Sequence, residues 1–253
     1  MFSFFKRTPK TGKNAPVFSF VGTDIHNHLL PGIDDGSPNP ETSIVLVEGL
    51  QELGFGSFVC TPHVLGSVHP NTPESISKAK ETLTAALAAA GHSIELHASA
   101  EYMTDYEFND IIEAAQLVPM PGDYVLIEMS YAIESPNLRE VIFSLQTTGY
   151  RPILAHPERY PYLFSRFSQY EEIVDAGADL QINLLSLQGY YGKPIQKVAE
   201  KLIAQNLISW VGTDMHHTRH LDALRQLANN AKALSWIDKI KDLKNPSLLQ
   251  ATH

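Results

Sequence analysis

The chain has 253 residues, 43% of them hydrophobic and 19% charged, which is typical of a soluble globular protein and long enough for one large domain. The formal net charge of −9 argues against nucleic acid as the main partner, because binding to a phosphate backbone needs a basic surface. Cys60 is the only cysteine, so no internal disulfide can form, and a reducing cytoplasm is the expected location. No apolar run approaches the roughly 20 residues of a membrane span.

Residues 1–15 are predicted to form a mobile basic arm. Met1–Phe5 is apolar but very short, and its basic residues follow it, whereas a secretory signal has its charges first and a longer apolar region. These basic residues are Lys6, Arg7, Lys10 and Lys13. Their clustering beside phenylalanines is also consistent with weak contact to a membrane surface. Residues 16–253 are expected to form a single domain.

Predicted strands and helices alternate along the rest of the chain. The first strand covers Phe18–His26. The first helix covers Pro40–Leu53, because Asn39 suits the N-cap, proline suits the first helical position and Gly54 suits the stop. The remaining strands are predicted at Ser57–Thr61, Ser93–Ser99, Tyr124–Ile127, Pro152–Ala155, Asp179–Ile182 and Ile208–Gly212. The remaining helices are predicted at Lys78–Ala90 (with a start signal at Thr72-Pro73), Asp105–Gln116, Asn137–Thr148, Tyr162–Ala176, Pro194–Asn206 and Thr218–Leu234, with a short one within Asp238–Gln250.

This alternation amounts to seven βα units, with no break in composition between them. Strictly alternating strands and helices indicate an α/β protein with a parallel sheet. An open doubly wound sheet and a closed barrel both satisfy the pattern. No glycine-rich phosphate loop follows the first strand, which weakens the nucleotide-binding version of the open sheet.

Two histidines end the first predicted strand. His26 and His28 are two residues apart, so on a strand they point to the same side and can reach one metal ion. Imidazole suits zinc, iron, copper and nickel, and carboxylates extend the choice to manganese. The spacing alone is a weak signal, because paired histidines also occur as ordinary surface or packed residues.

An imidazole or a carboxylate follows every predicted strand except the sixth. The strand-end residues are His26, His28, His63, Glu101, Glu128, His156, Asp214 and His216, with Asp35 in the first loop. Parallel barrel strands bring their carboxyl ends to one rim, where barrel enzymes build active sites. Nine ligands exceed the needs of one metal, so two or three ions sharing a bridging carboxylate are predicted. Such clusters activate a water molecule and clamp the attacking and leaving oxygens of a phosphate displacement.

Seven segments carry a family resemblance. They are Asp24-Ile25-His26-Asn27-His28, Ile33-Asp34-Asp35-Gly36, Thr61-Pro62-His63, Ala100-Glu101-Tyr102, Ile127-Glu128-Met129, Ala155-His156-Pro157-Glu158-Arg159 and Gly212-Thr213-Asp214-Met215-His216. Together they resemble the polymerase and histidinol phosphatase (PHP) family, and most closely its bacterial protein-tyrosine phosphatases encoded with capsule and exopolysaccharide genes. The resemblance runs from about Thr23 to Leu234. It implies a distorted seven-stranded parallel β/α barrel with three divalent metals, often manganese, with iron and zinc as the other choices.

The resemblance also implies how the ligands divide among the ions. The first ion would be held by His26, His28, Glu101 and Asp214, the second by Glu101, Glu128 and His156, and the third by Asp35, His63 and His216. In histidinol phosphatases of the superfamily, histidine often stands where Asp35 and Glu128 stand here. The two carboxylates therefore favour the tyrosine-phosphatase branch.

Three further residues are predicted to act at the site. Arg159 suits a forked contact to phosphate, and the family points the same way. Arg219 is a second candidate clamp, although the family's arginine in this region sits slightly further along. Asp34 is expected to orient a metal ligand. Asn183, at the end of the sixth strand, could equally face the site or cap a helix.

These residues predict a metal-dependent phosphomonoesterase in which a metal-bound hydroxide attacks phosphorus and Arg159 neutralises phosphoryl charge. The resemblance implies a protein-tyrosine phosphatase acting on the tyrosine-rich tail of a bacterial tyrosine kinase that governs polysaccharide export. A histidinol-phosphate or other small-molecule phosphatase and a non-catalytic PHP module remain alternatives. A cysteine mechanism is disfavoured, because the Cys-x5-Arg loop is missing and Cys60 falls inside a predicted strand.

Overall fold

A computed structural model describes residues 16–66 and 68–252 of the chain. The strands within these ranges are β1 (Thr23–Asp24), β2 (Ser57–Cys60), β3 (His63–Val64), β4 (Glu95–Ala98), β5 (Glu101–Met103), β6 (Tyr124–Glu128), β7 (Arg151–Ala155), β8 (Asp179–Asn183) and β9 (Ile208–Gly212). The predicted arm, residues 1–15, lies outside the described residues.

The strands form two parallel sheets. One has three strands in the order β1-β2-β4, and the other has six in the order β3-β5-β6-β7-β8-β9. Every strand pair is parallel, which confirms the α/β class that the alternation predicts. The assigned strands thus form two sheets, not the single closed barrel that the resemblance implies.

Helices separate the strands along the chain. They are α1 (Pro40–Leu53), α2 (Pro73–Ala89), α3 (Phe108–Glu113), α4 (Leu138–Thr147), α5 (Ser168–Asp175), α6 (Lys193–Ala204), α7 (Thr218–Leu227) and α8 (Ala231–Ile237). Short 3-10 helices cover Pro157–Arg159, Pro161–Leu163, Leu184–Gln188 and Asn245–Thr252. None of the described helices is long and apolar enough to cross a membrane.

The start of the domain differs from the prediction. We expected one strand over Phe18–His26, but residues 17–21 form turns, and β1 is only Thr23–Asp24. Phe18 and Val21 are buried three residues apart, and the amide of Val21 donates to the carbonyl of Phe18 at 2.9 Å. The apolar residues therefore reach the core through turns and not through the two-residue alternation of a strand.

Two predicted strands are each followed, after a break of two residues, by a further short strand that was not predicted. The strand predicted at Ser57–Thr61 is β2, and β3 follows Thr61-Pro62; the strand predicted at Ser93–Ser99 is β4, and β5 follows Ser99-Ala100. At the first break, proline has no amide hydrogen to donate to a ladder, so the sheet is interrupted there. The breaks transfer these chain segments from the first sheet to the second, and the second sheet carries His63 and Glu101 into the site.

The last long helix is also divided. The sequence predicts Thr218–Leu234 as one helix, but α7 ends at Leu227 and α8 begins at Ala231. Asn230 causes the restart, because its side-chain oxygen accepts from the amide of Ala233 at 3.2 Å as an N-cap. Asparagine prefers caps to helix interiors, a signal that outweighs the continuous apolar spacing.

Candidate metal centre

A cavity of about 460 Å³ opens at the carboxyl ends of the strands. Seven of the nine predicted ligands line it, and His26 and His28 lie fully buried beside them. Because parallel strands share the direction of their carboxyl ends, the loops that follow them converge on this one point. The candidate ligands therefore lie together at the carboxyl ends of the strands.

His26 presents one ring nitrogen to the cluster and the other to a buried amide. Its Nδ1 lies 2.8 Å from Oε1 of Gln181 on β8. Its Nε2 lies 3.2 Å from Oε2 of Glu101 and 3.4 Å from Oδ1 of Asp214. In the neutral ring, the amide oxygen keeps the proton on Nδ1 and leaves Nε2 available to a metal.

His28 and His216 follow the same pattern. Nδ1 of His28 lies 2.8 Å from Oδ2 of Asp34, and its Nε2 lies 3.4 Å from Oδ1 of Asp214. Nδ1 of His216 donates to the backbone carbonyl of Asp214 at 2.9 Å, and its Nε2 lies 3.5 Å from Oδ1 of Asp35. Outer hydrogen bonds of this kind fix the ring orientation of metal-binding histidines.

Asp34 contacts three parts of the site but is not one of the candidate metal ligands. Besides His28, its carboxylate accepts from the backbone amides of Gly36 at 2.9 Å and His63 at 3.2 Å. The pKa of Asp34 lies below its usual value, because the interaction with His28 outweighs the effect of burial. The position matches the predicted orienting role.

Glu101 lies at the centre of the cluster. Its Oε2 lies 3.2 Å from Nε2 of His26, 3.2 Å from Nδ1 of His63 and 3.5 Å from Nε2 of His28. This oxygen is buried, yet none of these contacts has the geometry of a hydrogen bond. A buried carboxylate oxygen surrounded by three imidazoles in this way fits a ligand shared between divalent cations.

His156 and Glu128 complete the far side of Glu101. Nε2 of His156 lies 2.9 Å from Oε1 of Glu101 and 3.9 Å from Oε2 of Glu128. Oε1 of Glu128 lies 3.1 Å from Nδ1 of His63. Asp35, which is 62% exposed at its side chain, approaches from solvent to 3.5 Å from Nε2 of His63.

The ligand atoms group as metal sites require. Four sets have their nitrogen and oxygen atoms within 4.8 Å of one another, namely His26/His28/Asp214, His26/Glu101/His156, His63/Glu101/Glu128 and His28/Asp35/His63/His216. Together they contain all nine predicted ligands, and several residues belong to more than one set. Overlapping sets of imidazoles and carboxylates suit a cluster of ions better than one isolated ion.

The site concentrates ionised carboxylates. Burial raises the pKa of Asp214, but His26 and His216 outweigh it and hold that pKa well below its usual value. Burial lowers the pKa of His26, but Glu101 and Asp214 outweigh it and raise that pKa to about 9. Positive charge beside the carboxylates is thus strongly favoured, and divalent ions would supply it in place of protons.

The backbone is strained where two candidate ligands sit. His156 has φ of 33° and Asp214 has φ of 52°, both in the left-handed region that side chains other than glycine seldom adopt. His156 directly follows the last residue of β7, and Asp214 stands two residues after the end of β9. Such strain persists when the surroundings impose it, and it occurs often at functional sites.

Arg159 reaches the same cavity from the 3-10 helix after β7. Its Nη1 donates to Oδ2 of Asp214 at 2.8 Å, and its side chain is 22% exposed. The guanidinium therefore lies beside a candidate metal ligand and still faces the open cavity. This is the placement that a phosphate-binding arginine needs.

A family model described as capsular polysaccharide synthesis, CpsB/CapC, matches residues 22–235. The chain belongs to the CpsB/CapC family. This confirms the resemblance, since the match covers nearly the same span as the motifs.

Relatives of the CpsB/CapC chain agree with this assignment. The tyrosine-protein phosphatase YwqE of Bacillus subtilis is 29% identical over 197 residues, which are 78% of each chain. CapC of Staphylococcus aureus is 30% identical over 233 residues, 89% of this chain and 90% of that protein. A solved structure from a study of YwqE and Streptococcus pneumoniae CpsB, described there as unique metal-dependent tyrosine phosphatases, matches with a TM-score of 0.77 and 25% identity. It covers 91% of this chain and 95% of that one. An amidohydrolase from Mycoplasma synoviae shares the fold, with a TM-score of 0.57 and 13% identity over 92% of this chain and 88% of that one.

The other sequence candidates are placed as follows. Arg219 is exposed in the first turn of α7 and does not line the cavity. Asn183 faces the site, because its Nδ2 donates to Oδ2 of Asp214 at 2.8 Å. Cys60 is buried in β2, and burial raises its thiol pKa far above the usual value.

Gln181 is the contributor that the sequence reasoning missed. It stands two residues before Asn183 on β8, donates to Oδ1 of Asn183 at 3.1 Å and holds His26 through its Oε1. Both residues are fully buried, and they alternate with the apolar residues Leu180 and Ile182 of the strand. That pair of buried amides, two apart, was the available signal.

Proposed function

We propose that this CpsB/CapC chain is a metal-dependent phosphomonoesterase that hydrolyses phosphotyrosine on proteins. The strongest support for this proposal is the environment of Glu101. Three imidazole nitrogens lie within 3.5 Å of its buried Oε2, and none forms a hydrogen bond with it. With Arg159 on the wall of the same cavity, the site combines a cation cluster with a phosphate clamp.

We assign the ligands to three ions. The first set is His26, His28, Glu101 and Asp214, the second is Glu101, Glu128 and His156, and the third is Asp35, His63 and His216. The atom groups support the first and third sets, because His26/His28/Asp214 and Asp35/His63/His216 each fall within one group. In the second set, Glu101 shares one group with His156 and another with Glu128. Mixed imidazole and carboxylate donors suit manganese, and iron or zinc would also be accepted.

Bound ions and protein side chains would contribute different parts of the reaction. Bound divalent ions would lower the pKa of a water molecule, and so supply a nucleophile near neutral pH. Arg159 binds the phosphoryl oxygens with the N–H groups that it does not use on Asp214. Asp34 and Gln181 hold His28 and His26 in the orientation that the cluster requires.

The chemistry of the leaving group and the shape of the cavity favour an aryl phosphate. Phenolate has a parent pKa of about 10, so its departure needs little help from a general acid. Tyr131 and Tyr191 line the cavity with Leu65 and Met103, which gives a phenyl ring apolar contact above the cluster. A small polar substrate such as histidinol phosphate would not make these apolar contacts.

We propose the tyrosine-rich tail of a bacterial tyrosine kinase of polysaccharide export as the substrate, and the cytoplasm as the location. Relatives named tyrosine-protein phosphatases and the capsule family description support this substrate class. The buried, unpaired thiol of Cys60 is consistent with a reducing compartment. An acidic chain with a net charge of −9 is not expected to bind nucleic acid.

We also propose that the two sheets act as one distorted seven-stranded barrel within a single domain. The amide of Asp214 donates to the carbonyl of His26 at 2.7 Å, and that of His28 to Met215 at 2.9 Å. These bonds join the segment after β1 to the segment after β9. Ile25 and Val59 from one side also pack in a single small core cluster with Leu126, Ile153 and Trp210 from the other.

A substrate comparison tests the proposal. The manganese-loaded protein should hydrolyse a phosphotyrosine peptide with much higher kcat/KM than histidinol phosphate. Arg159→Ala should lower that activity with metal content unchanged, because arginine acts on phosphate and not on the ions. A preference for histidinol phosphate would make the protein a small-molecule phosphatase. Failure to hydrolyse either substrate would favour a non-catalytic module.

A further inference from the structure

Arg159 packs against two aromatic rings. Its guanidinium carbon is 4.6 Å from the centre of the Tyr131 ring and 4.4 Å from the centre of the Tyr191 ring. The three residues come from three different loops, after β7, β6 and the 3-10 helix Leu184–Gln188 respectively. The fold therefore brings the two rings to the arginine from separate parts of the chain.

The rings leave the edge of the guanidinium available. A guanidinium carries five N–H donors in its plane, while aromatic rings contact its faces. Within the described ranges, its hydrogen bond is the one from Nη1 to Asp214 at 2.8 Å. Arg159 lines the cavity that contains the candidate metal ligands, so its remaining donors are available to a ligand there.

A free arginine side chain would not hold this position. It loses rotamer entropy when it is ordered, and a nearby carboxylate can pull it into other geometries. Here the ion pair fixes one end and the two rings restrict rotation of the plane. The cost of ordering the guanidinium is met before phosphate arrives, and this preorganisation improves affinity.

We propose that Tyr131 and Tyr191 are positioning residues whose rings clamp Arg159 with its free N–H groups towards the phosphoryl group of the substrate. The inference rests on the proposed function, since it takes the ligand of Arg159 to be a phosphate monoester. The ring faces carry the effect, and the hydroxyl groups are not needed for it.

Tyr131 has a second contact that must be separated from the clamp. Its hydroxyl lies 3.3 Å from Nε2 of the candidate ligand His156. Tyr131→Phe removes that contact and keeps the ring, whereas Tyr131→Leu removes both. Tyr191→Phe and Tyr191→Leu form the matching pair for the second ring. Tyr106→Leu serves as the control, because Tyr106 is 83% exposed and does not line the cavity.

Two measurements test the clamp on the manganese-loaded full chain. Binding of inorganic phosphate is measured by calorimetry, and kcat and KM are measured with a phosphotyrosine peptide. Each leucine variant should bind phosphate about tenfold more weakly, in line with the strength of a partly desolvated cation–π contact. The phenylalanine variants should retain most of the affinity that the leucine variants lose, and the control should match the parent. Metal content should be the same in all of them.

A double-mutant cycle decides whether the rings act through Arg159. In the Arg159→Ala background, Tyr191→Leu should have little further effect on phosphate binding, because nothing remains to be clamped. Full additivity, or equal losses in the leucine and phenylalanine variants, would overturn the proposal, as would a parent protein that binds no phosphate. A parent that binds phosphate more tightly than its leucine variants but hydrolyses no phosphotyrosine would retain the clamp and refute the proposed function.

Discussion

At the scale of single residues, Glu101 is the most important residue for the proposed metal cluster. It is fully buried, and three imidazoles and the candidate ligand His156 surround its two oxygens. Burial raises its pKa, but His26 and His156 outweigh burial and keep the carboxyl ionised. No other residue in the cluster is placed to join so many ligands.

Glu101→Gln should therefore lose metal and activity together. The amide keeps the size of the side chain but removes the charge and one of the two acceptor oxygens that bridging requires. We expect bound metal, measured by elemental analysis, to fall clearly, and turnover of phosphotyrosine peptide to drop at least about 100-fold. A variant with full metal content and near-normal turnover would contradict a shared carboxylate.

Cys60 should take no part in the reaction. Burial inside β2 raises its pKa, so the thiol stays protonated at neutral pH and the nucleophilic thiolate does not form. A thiol reagent should label Cys60 only after denaturation, and Cys60→Ala should keep most of the activity. Rapid labelling of the native protein, with loss of activity and an unchanged circular dichroism spectrum, would contradict this.

The sequence predicted that the candidate ligands would lie together, but of the residues that orient them it indicated Asp34 and not Gln181. All nine predicted ligands lie in one set of overlapping groups, because parallel strands have to bring their ends together. Gln181 was missed because only Asn183 was singled out, although the amide two residues before it points to the same side of the strand. Arg219 remains a prediction. Its side chain is exposed on α7 and does not line the cavity.

At the scale of elements, close approach between strands shapes the site. A Cβ added to Gly212 at the end of β9 would lie 2.6 Å from Cβ of His26 and 2.8 Å from Nε2 of Gln181. Contacts this short require the neighbours to move, and the neighbours here are a candidate ligand and the residue that orients it. The glycine thus sets the distance between β9 and the segment after β1.

Gly212→Ala should weaken metal binding without touching any ligand directly. We expect destabilisation of about 1–3 kcal/mol, typical of overpacking in a close-packed interior, together with reduced metal affinity. Gly56→Ala is the matched control, because its added Cβ would have no neighbour nearer than 3.8 Å. Thermal unfolding and a metal titration measure the two effects. Equal behaviour of the two variants would show that β9 does not constrain the site.

Elements with explicit capping signals were predicted accurately. Helix α1 has the predicted bounds, since Asn39 accepts from the amide of Thr42 and Gly54 adopts φ of 112° at the stop. The first strand was predicted too long, because periodicity could not distinguish turns that bury Phe18 and Val21 from a strand. The ends of an element can be read from the sequence where a capping residue marks them. Other ends depend on packing against distant parts of the chain.

At the scale of the whole molecule, we expect the depth of the candidate site to determine which phosphorylated residue it accepts. The cluster lies below a rim built from loops after several strands, with apolar and aromatic walls. Phosphotyrosine places its phosphate roughly 6 to 7 Å from Cβ, which is farther than phosphoserine reaches. A recessed cluster can therefore contact the first phosphate and not the second.

The manganese-loaded protein should strongly prefer phosphotyrosine peptides to phosphoserine peptides of the same sequence. We expect at least about 100-fold higher kcat/KM, the penalty that a misplacement of about 1 Å can impose on a reacting group. Steady-state kinetics on the matched peptides measure the ratio. Comparable rates on the two peptides would refute the depth argument while leaving the ligand assignment intact.

Metal removal and reconstitution test the central claim most directly. The protein is dialysed against a chelator, its metal content is measured, and hydrolysis of a phosphotyrosine peptide is followed as manganese is returned. Two or three ions per chain should bind, and activity should disappear with the metal and return as those sites fill. Phosphotyrosine hydrolysis that persists at full rate in the metal-free protein would contradict the account.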